Sequence, residues 1–183
     1  MSRLEPPVSA ARDHIRGNRE APVILVEYGD YECPACGLAH GVLPRLLAQS
    51  QGRIALVFRN FPLSALHPHA EGAAEAAEAA GVQGRFWEMH DMLFQNQDAL
   101  DVESLIEYAG ALALDLVRFA DDLDSRRFAA RVREDLLSGV RSGVSATPTF
   151  FINGQRHDGG LQALGGALAA AMPKAPSQKE TYP

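Results

Sequence analysis

The chain has 183 residues and 46% of them are hydrophobic, which suits one domain with a sizeable core. Its formal net charge of −6 at pH 7 argues against nucleic acid as a partner, because nucleic acids attract basic proteins. The first twenty residues contain no apolar stretch long enough for a signal peptide or a membrane span. We therefore expect no membrane insertion and a cytoplasmic protein, or a periplasmic or secreted one if a signal peptide has been removed.

The two ends of the chain differ in composition from its centre. Residues 1–21 carry Pro6-Pro7 and a polar run, and they are predicted to form an N-terminal extension. Residues 22–172 are predicted to form a single domain. Residues 173–183 are polar with three prolines, a composition that favours a mobile tail.

The first regular elements follow in the order strand, helix, strand. Residues 23–28 are predicted to be a buried strand, residues 35–50 a helix interrupted at Pro44, and residues 54–58 a second buried strand. Both apolar runs are unbroken, which is typical of strands that are buried on both faces of a sheet. The two strands are therefore predicted to be parallel and joined by a right-handed crossover.

From residue 68 to residue 142 the pattern is helical throughout. Glu71, Glu75 and Glu78 recur at spacings of four and three residues on an alanine-rich segment, which predicts a solvated acidic face with small residues behind it. Asp101 precedes a later apolar stripe and is predicted to cap a helix. We expect four helices here, with a further short one near residues 116–120.

Strand patterns return at residues 147–157. Asn153-Gly154 lies between two extended segments and predicts a two-residue hairpin turn, because both turn positions need a positive φ. A last helix follows from about residue 160. The predicted fold class is α/β, with a mixed sheet, helices on both of its faces and an inserted helical subdomain at about 68–142.

The only two cysteines, Cys33 and Cys36, lie in one Cys-x-x-Cys motif between the first strand and the first helix. Unpaired N–H groups and the positive end of the helix dipole favour a thiolate there. The dipole contributes roughly 0.3–2 kcal/mol toward an anion, which lowers the pKa of Cys33 by at most about 1.5. Pro34 suits the first helical turn, where no N–H is donated to the helix. The motif therefore predicts redox chemistry.

Other roles for the cysteine pair stay open at this point. One is an inert disulfide, and another is a metal site completed by a histidine such as His67. A structural zinc site needs four ligands, and the chain has no second cysteine pair. A redox-inactive binding or chaperone module on the same fold is a third alternative. The position between strand and helix favours redox chemistry over the metal site and the inert disulfide, and the binding module stays open.

Four stretches together carry a family resemblance that spans most of residues 22–170. They are Val26 to Cys36, His67-Pro68-His69-Ala70, Gln83 to Asp91, and Thr147 to Gly154. Through this combination the chain resembles the DsbA-like thiol–disulfide oxidoreductases of the thioredoxin fold. In that family a helical block is inserted between the second strand and the hairpin.

The resemblance implies contacts with a substrate. Pro148 is expected to follow a cis peptide bond and to lie against the cysteine pair, although only about 5–6% of X-Pro bonds are cis. Thr147, Pro148 and Pro34 are then expected to bind the substrate, with backbone groups of Thr147 pairing with an extended chain. The expected partners are protein or low-molecular-weight thiols and disulfides, and a redox partner that recycles the cysteine pair. No organic cofactor or metal is implied.

Glu27 and Ala35 complete the predicted site. The family places a buried carboxylate at the position of Glu27, where burial would raise its pKa and let it exchange a proton with Cys36. A solvent-facing glutamate at a strand end is the alternative. Ala35 stands where the oxidases that give the family its name carry histidine, so the resemblance does not imply a strongly oxidising potential.

Overall fold

The computed structural model describes residues 3–173, and within them the chain forms a five-stranded mixed sheet with helices packed against it. The strands are β1 (His14–Arg16), β2 (Val23–Gly29), β3 (Ile54–Asn60), β4 (Thr149–Ile152) and β5 (Gln155–His157). The helices are α1 (Pro34–Gln49), α2 (Ala70–Gly81), α3 (Phe86–Gln95), α4 (Val102–Ala111), α5 (Leu116–Asp124), α6 (Ala129–Arg141) and α7 (Gly160–Ala171). Except for Pro173, the predicted mobile tail lies outside the described residues.

The strand order in the sheet is β1-β3-β2-β4-β5. β2 and β3 are parallel, with Val23 opposite Ile54 and Gly29 opposite Asn60. β4 is antiparallel to β2, and β5 is antiparallel to β4. The predicted βαβ unit and the C-terminal hairpin therefore belong to one mixed sheet, and the predicted fold class is confirmed.

α1 leaves the carboxyl end of β2 and covers one face of the sheet. Its residues Ala39 and Leu43 are buried in the same apolar cluster as Leu164 and Leu168 of α7. α1 continues through Pro44 rather than being interrupted there. This packing fixes where the first turn of α1, with its cysteine motif, lies relative to the sheet.

The inserted helices α2 to α6 form a block with its own core, but one prediction about α2 is wrong. Glu75 and Glu78 are 2% and 4% exposed, so they do not form a solvated acidic face. Glu75 pairs with Arg126 at 2.6 Å, and Glu78 accepts a hydrogen bond from Asn60 at 3.0 Å. The periodicity of one helix does not show which neighbours cover it, and here polar partners from other elements do so.

Two local predictions are confirmed. Asp101 caps α4, because its side chain accepts a hydrogen bond from Ser104 N at 3.0 Å. Asn153 and Gly154 form the turn between β4 and β5 with φ values of 49° and 77°. Both depend on neighbours within three residues, so the sequence carries the whole signal.

The N-terminal segment adds an edge strand that the sequence did not predict. β1 pairs antiparallel with β3. Asp13, just before β1, accepts hydrogen bonds of 2.8 and 3.1 Å from the buried Arg59 of β3. A strand of three residues is too short for an alternating pattern to be detected. The predicted domain boundary at residue 22 remains a prediction.

Candidate active site

The two cysteines lie where the chain passes from β2 to α1. Cys33 is the N-cap residue of α1, and Pro34 is in the first turn. Cys33 is 7% exposed and Cys36 is 0% exposed, and both are free thiols. Pro34 is exposed beside them. The molecular surface therefore gives access to Cys33, whereas Cys36 lies behind it.

Several hydrogen-bond donors stabilise the thiolate of Cys33. The Cys36 thiol donates to Cys33 Sγ, and the backbone N–H groups of Cys36 and Ala35 donate to the same atom. These donors lower the pKa of Cys33 to about 5, although partial burial acts in the opposite direction. The decrease exceeds what the helix dipole alone can supply, because direct hydrogen bonds add to the dipole. Cys33 is therefore a thiolate at neutral pH.

Cys36 has the opposite acid–base behaviour. Its pKa is raised by the hydrogen bond that its thiol donates to Cys33, then by burial, and then by the negative charge of Glu27. It therefore keeps its proton at neutral pH while Cys33 is ionised. The pair is chemically asymmetric, although the two side chains are identical.

Glu27 is buried in β2, with only 2% of its surface exposed. Its Oε1 atom is buried and has no hydrogen-bond partner within residues 3–173. Burial, and then the charge of Cys33, raise the pKa of Glu27 to about 8. The alternative of a solvent-facing glutamate does not fit this position. A buried carboxyl group that is mostly protonated at pH 7 lies close enough to both thiols for their charges to interact.

Thr147 and Pro148 also lie at the site. The peptide bond between them is cis, as the resemblance implied. Cys33 Sγ lies 3.6 Å from the carbonyl oxygen of Thr147. Both residues are half-buried, and the hydroxyl oxygen of Thr147 has no hydrogen-bond partner in the described part of the chain. The segment before β4 therefore forms one wall beside Cys33.

His67 lies near the motif but does not join the cysteines in a metal-binding group. Its Nδ1 is bonded to Asp30 Oδ2 at 2.8 Å, and this hydrogen bond raises the pKa of His67. Within residues 3–173 the potential metal ligands that converge are a different set, namely His40, His90 and Asp91. Asp91 of that set is already paired with Arg16 at 2.7 Å. The geometry therefore gives no support to a metal site built on the cysteine pair.

Two residues that the structure places at the site, Asp30 and Gln97, were not assigned to it from the sequence. Asp30 accepts hydrogen bonds of 2.8 Å from the backbone N–H groups of Glu32 and Leu63, and its position just after a strand is a signal for such a turn. Gln97 donates hydrogen bonds from its side chain to the carbonyl oxygens of Tyr31 and Cys33. No sequence signal connects Gln97 to the motif, because the two are more than sixty positions apart.

The strand order of the sheet, the cysteine pair at the start of a helix and the cis peptide bond beside it are together typical of proteins with the thioredoxin fold. A family model described as thioredoxin matches residues 9–165 of this chain. The chain therefore belongs to the thioredoxin family.

Solved structures narrow the fold to the DsbA-like group. The structure is similar to oxidised BdbD from Bacillus subtilis, with a TM-score of 0.80, 22% identity, and coverage of 93% of this chain and 98% of that one. It is similar to α-DsbA1 from Wolbachia pipientis, with a TM-score of 0.77, 22% identity, and coverage of 92% and 94%. It is also similar to a thioredoxin-like oxidoreductase from Silicibacter pomeroyi, with a TM-score of 0.76, 25% identity, and coverage of 87% and 92%. The protein has the fold of the DsbA-like thiol–disulfide oxidoreductases, as the resemblance implied.

Curated relatives share a higher sequence identity with this chain than the solved structures do, and they are named as antiporters rather than as oxidoreductases. The chain is 52% identical over 171 residues to Na⁺/H⁺ antiporter NhaA 1 from Salinispora arenicola, covering 92% of this chain and 26% of that protein. It is 48% identical over 160 residues to Na⁺/H⁺ antiporter NhaA from Herminiimonas arsenicoxydans, covering 87% and 25%. The chain thus spans about a quarter of the length of the curated relatives that it matches.

The prediction of a cytoplasmic protein is wrong. Relatives that align with most of the chain are named as Na⁺/H⁺ antiporters, a name that refers to ion exchange across a membrane, and the solved neighbours include a thiol–disulfide exchange protein of the DsbA type. The prediction relied on the composition of the first twenty residues, which does not determine the compartment. The helices that the structure describes are all too short or too polar to span a bilayer.

Proposed function

We propose that the protein is a thiol–disulfide oxidoreductase that exchanges disulfides with protein or low-molecular-weight thiols. The observation that carries the proposal is the asymmetric pair, with a thiolate at Cys33 and a buried, protonated thiol at Cys36. One sulfur can react with a partner, and the other can then resolve the mixed disulfide. The proposed exchange uses no organic cofactor and no metal.

In the oxidising direction, a substrate thiolate attacks Cys33 Sγ of the Cys33–Cys36 disulfide. The bond between substrate and Cys33 forms, the bond between the two cysteines breaks, and Cys36 leaves as a thiolate that takes up a proton. A second substrate thiolate then attacks the substrate sulfur of this mixed disulfide and releases the Cys33 thiolate. Two electrons pass from the substrate to the cysteine pair, and reduction of a substrate disulfide is the reverse sequence.

Glu27 exchanges the proton with Cys36 in this scheme. Its raised pKa of about 8 keeps the carboxyl group largely protonated at neutral pH, so a proton is available when Cys36 leaves as a thiolate. In the reducing direction, Cys36 must lose its proton before it attacks the mixed disulfide, and the Glu27 carboxylate accepts it. Cys36 and Glu27 are both buried, so a proton from Glu27 is more readily available to Cys36 than one from bulk water.

The substrate is bound by Thr147, Pro148 and Pro34 in this proposal. An extended substrate segment pairs with the backbone of Thr147, which lies before the first residue of β4 and beside Cys33 Sγ. Neither Pro148 nor Pro34 has a backbone N–H, so neither adds a competing donor where the substrate sulfur approaches. Pro34 is also exposed, so a substrate can reach it. Main-chain pairing tolerates many side chains, which suits protein substrates of varied sequence.

The direction of exchange depends on the difference between the potential of the pair and that of its surroundings. The low pKa of Cys33 stabilises the reduced form, and stabilisation of the reduced form makes a pair more oxidising. We therefore favour the oxidase direction, with a redox partner that takes up the two electrons and restores the disulfide.

Trapping of mixed disulfides tests the proposed roles of the two cysteines. The Cys36→Ala variant should accumulate mixed disulfides through Cys33, because the thiol of Cys36 is no longer there to resolve them, whereas Cys33→Ala should trap few adducts at neutral pH. Each variant is expressed in its host, quenched with acid and blocked with a thiol reagent, and its adducts are counted on a non-reducing gel. Equal trapping by the two variants would contradict the assignment.

A redox-inactive binding module on the same fold is the rival function. Reduction of the insulin disulfides by dithiothreitol, with and without the protein, separates the two. The wild type should accelerate the reaction and Cys33→Ser should not. No acceleration by the wild type, together with no trapped adducts, would favour the binding module.

A further inference from the structure

Gln97 connects the helical insertion to the loop that carries Cys33. It lies half-buried between α3 and α4. Its Nε2 atom donates hydrogen bonds of 2.7 Å to the carbonyl oxygen of Tyr31 and 2.9 Å to that of Cys33. Both acceptors belong to the loop between β2 and α1. One side-chain amide therefore holds two peptide groups of the active-site loop.

The carbonyl oxygen of Cys33 is the first acceptor of α1. It accepts hydrogen bonds from Cys36 N at 3.0 Å and from Gly37 N at 3.1 Å. The donor from Gln97 adds a third contact and restrains the peptide plane that follows Cys33. The orientation of this plane determines how the next N–H groups, those of Ala35 and Cys36, are directed toward Cys33 Sγ.

A glycine at position 37 makes room for this amide. A methyl group on Gly37 would overlap Gln97 Oε1 and would lie 2.9 Å from Gln97 Cδ. The Gly37 position is in the first turn of α1, and its φ is not one that requires glycine. The space around the Gln97 side chain is therefore a second observation, independent of its hydrogen bonds.

Hydrogen bonds to α3 and α4 hold the loop that carries Gln97. Asn96 Nδ2 donates to Met92 O at 2.8 Å at the end of α3, and Tyr108 of α4 donates from its hydroxyl to Ala99 O at 2.8 Å. The loop is thus fixed to both helices that flank it. A rigid support of this kind lets a side chain hold a precise geometry in a neighbouring element.

We propose that Gln97 is a positioning residue that holds the first turn of α1 so that its N–H groups face Cys33 Sγ, and that the helical insertion thereby controls the reactivity of the thiol. The inference rests on the proposed thiol–disulfide exchange, but it concerns the thiolate itself and is testable without a substrate. Gln97 does not touch the sulfur atoms, so it acts through the backbone.

The test uses the full-length reduced protein and the rate of alkylation of Cys33 by iodoacetamide as a function of pH. Gln97→Met removes the donor and keeps the length of the side chain, and Gly37→Ala displaces the amide.

A net hydrogen bond corresponds to a change of up to about one pKa unit. Each variant should therefore alkylate about twofold to tenfold more slowly at pH 4.5, with its pH profile shifted to higher pH. Gln95→Met, on an exposed residue at the end of α3, is the matched control and should leave the profile unchanged.

The double variant Gln97→Met/Gly37→Ala should shift the profile no further than Gln97→Met alone, because both changes remove the same contact. An unchanged pH profile in Gln97→Met and Gly37→Ala, with only a lower melting temperature, would overturn the inference. If one of the two variants does not fold, the other decides the outcome. A wild type that has a low thiol pKa but exchanges no disulfides would refute the proposed function and leave this inference to be judged by the profiles alone.

Discussion

Cys33 and Cys36 are three residues apart at the start of α1, and their thiols have opposite acid–base behaviour. Cys33 receives hydrogen bonds at the helix start, whereas Cys36 donates one and is fully buried. The pKa of Cys33, about 5, is lower in the folded chain than the value near 8.5 of a free cysteine. Its ionisation therefore stabilises the reduced folded protein above about pH 8.5, and this contribution is lost as the pH falls from about 8.5 to about 5.

Glu27→Gln tests the buried carboxyl group. The pKa of Glu27 is about 8 in the folded chain and about 4.3 when exposed, so the folded wild type binds the extra proton and loses stability as the pH rises from about 4 to 8. The variant should lack this loss, which corresponds to about 1.4 kcal/mol for each pKa unit, and should also exchange disulfides more slowly. Urea unfolding of the reduced protein at pH 5 and pH 8, and the pH profile of turnover, measure the two effects. Glu103→Gln, an exposed acid in α4, is the control, and an unchanged turnover profile would contradict the proton-exchange role.

Ala35→His tests the redox potential. Ala35 is exposed, and its N–H already faces Cys33, so a histidine there adds a positive charge beside the thiolate. It should stabilise the reduced form and raise the potential, with about 30 mV for every 1.4 kcal/mol. Equilibration with glutathione measures the change at pH 6 and pH 8. Ala35→Gln, which is neutral, should give a smaller rise, and a fall in potential with histidine would contradict the expectation.

The pairing of β4 with β2 brings the proposed substrate-binding segment, Thr147 and Pro148, to the cysteines. Thr149 lies opposite Tyr28 and Phe150 lies opposite Glu27, so the residues just before β4 lie at the carboxyl end of β2. Cys33 begins α1 at that same end. A shift of one residue in this register would turn every side chain of β4 to the other face and would displace Pro148.

Gly154→Ala tests the turn that closes this hairpin. Gly154 has a φ of 77° and no atom within 4 Å of an added methyl group, so the cost comes from the backbone alone. We expect a loss of about 1–2 kcal/mol in the free energy of unfolding. Gly72→Ala also adds a methyl group in open space, but within α2, and it should stabilise by up to about 1 kcal/mol. Urea unfolding gives both values, and equal signs would contradict the explanation.

On the scale of the whole molecule, a buried ion pair between Arg59 and Asp13 adds to the strand pairing that attaches the N-terminal segment to the sheet. Arg59 is 0% exposed and donates to both carboxylate oxygens of Asp13. It also donates to the carbonyl oxygen of Pro6 at 3.0 Å and to the hydroxyl of Tyr28 at 3.0 Å. The segment before β1 thus contributes to the stability of the central sheet.

Asp13→Ala should destabilise the protein by about 3–5 kcal/mol, because it leaves the Arg59 charge buried without its partner. Glu20→Ala, on an exposed acid of the same segment, should change the free energy of unfolding by less than about 0.5 kcal/mol. Urea unfolding at pH 7 compares them. Adding Arg59→Met to Asp13→Ala should recover part of the loss, and a small effect of Asp13→Ala would show that water solvates Arg59.

The sequence by itself determined the features whose signals lie within a few neighbouring residues. The two apolar runs predicted the parallel strands, Asn153-Gly154 predicted the hairpin, and the cysteine pair after the first strand predicted the reactive site. The helical pattern of residues 68–142 predicted the inserted helices, and the family resemblance predicted the cis bond before Pro148. These features follow from local periodicity, turn chemistry or a recognised motif, so distant residues were not needed to predict them.

Only the tertiary structure decided how far each polar group is buried and what it pairs with. Glu75 and Glu78 have the spacing of a solvated face, yet they are covered by partners from other elements. The low pKa of Cys33, the raised pKa of Glu27 and the contact from Gln97 all depend on atoms brought together from separate parts of the chain. Burial and hydrogen bonding are properties of the packed neighbourhood, and the order of residues along the chain does not contain that neighbourhood until the chain has folded.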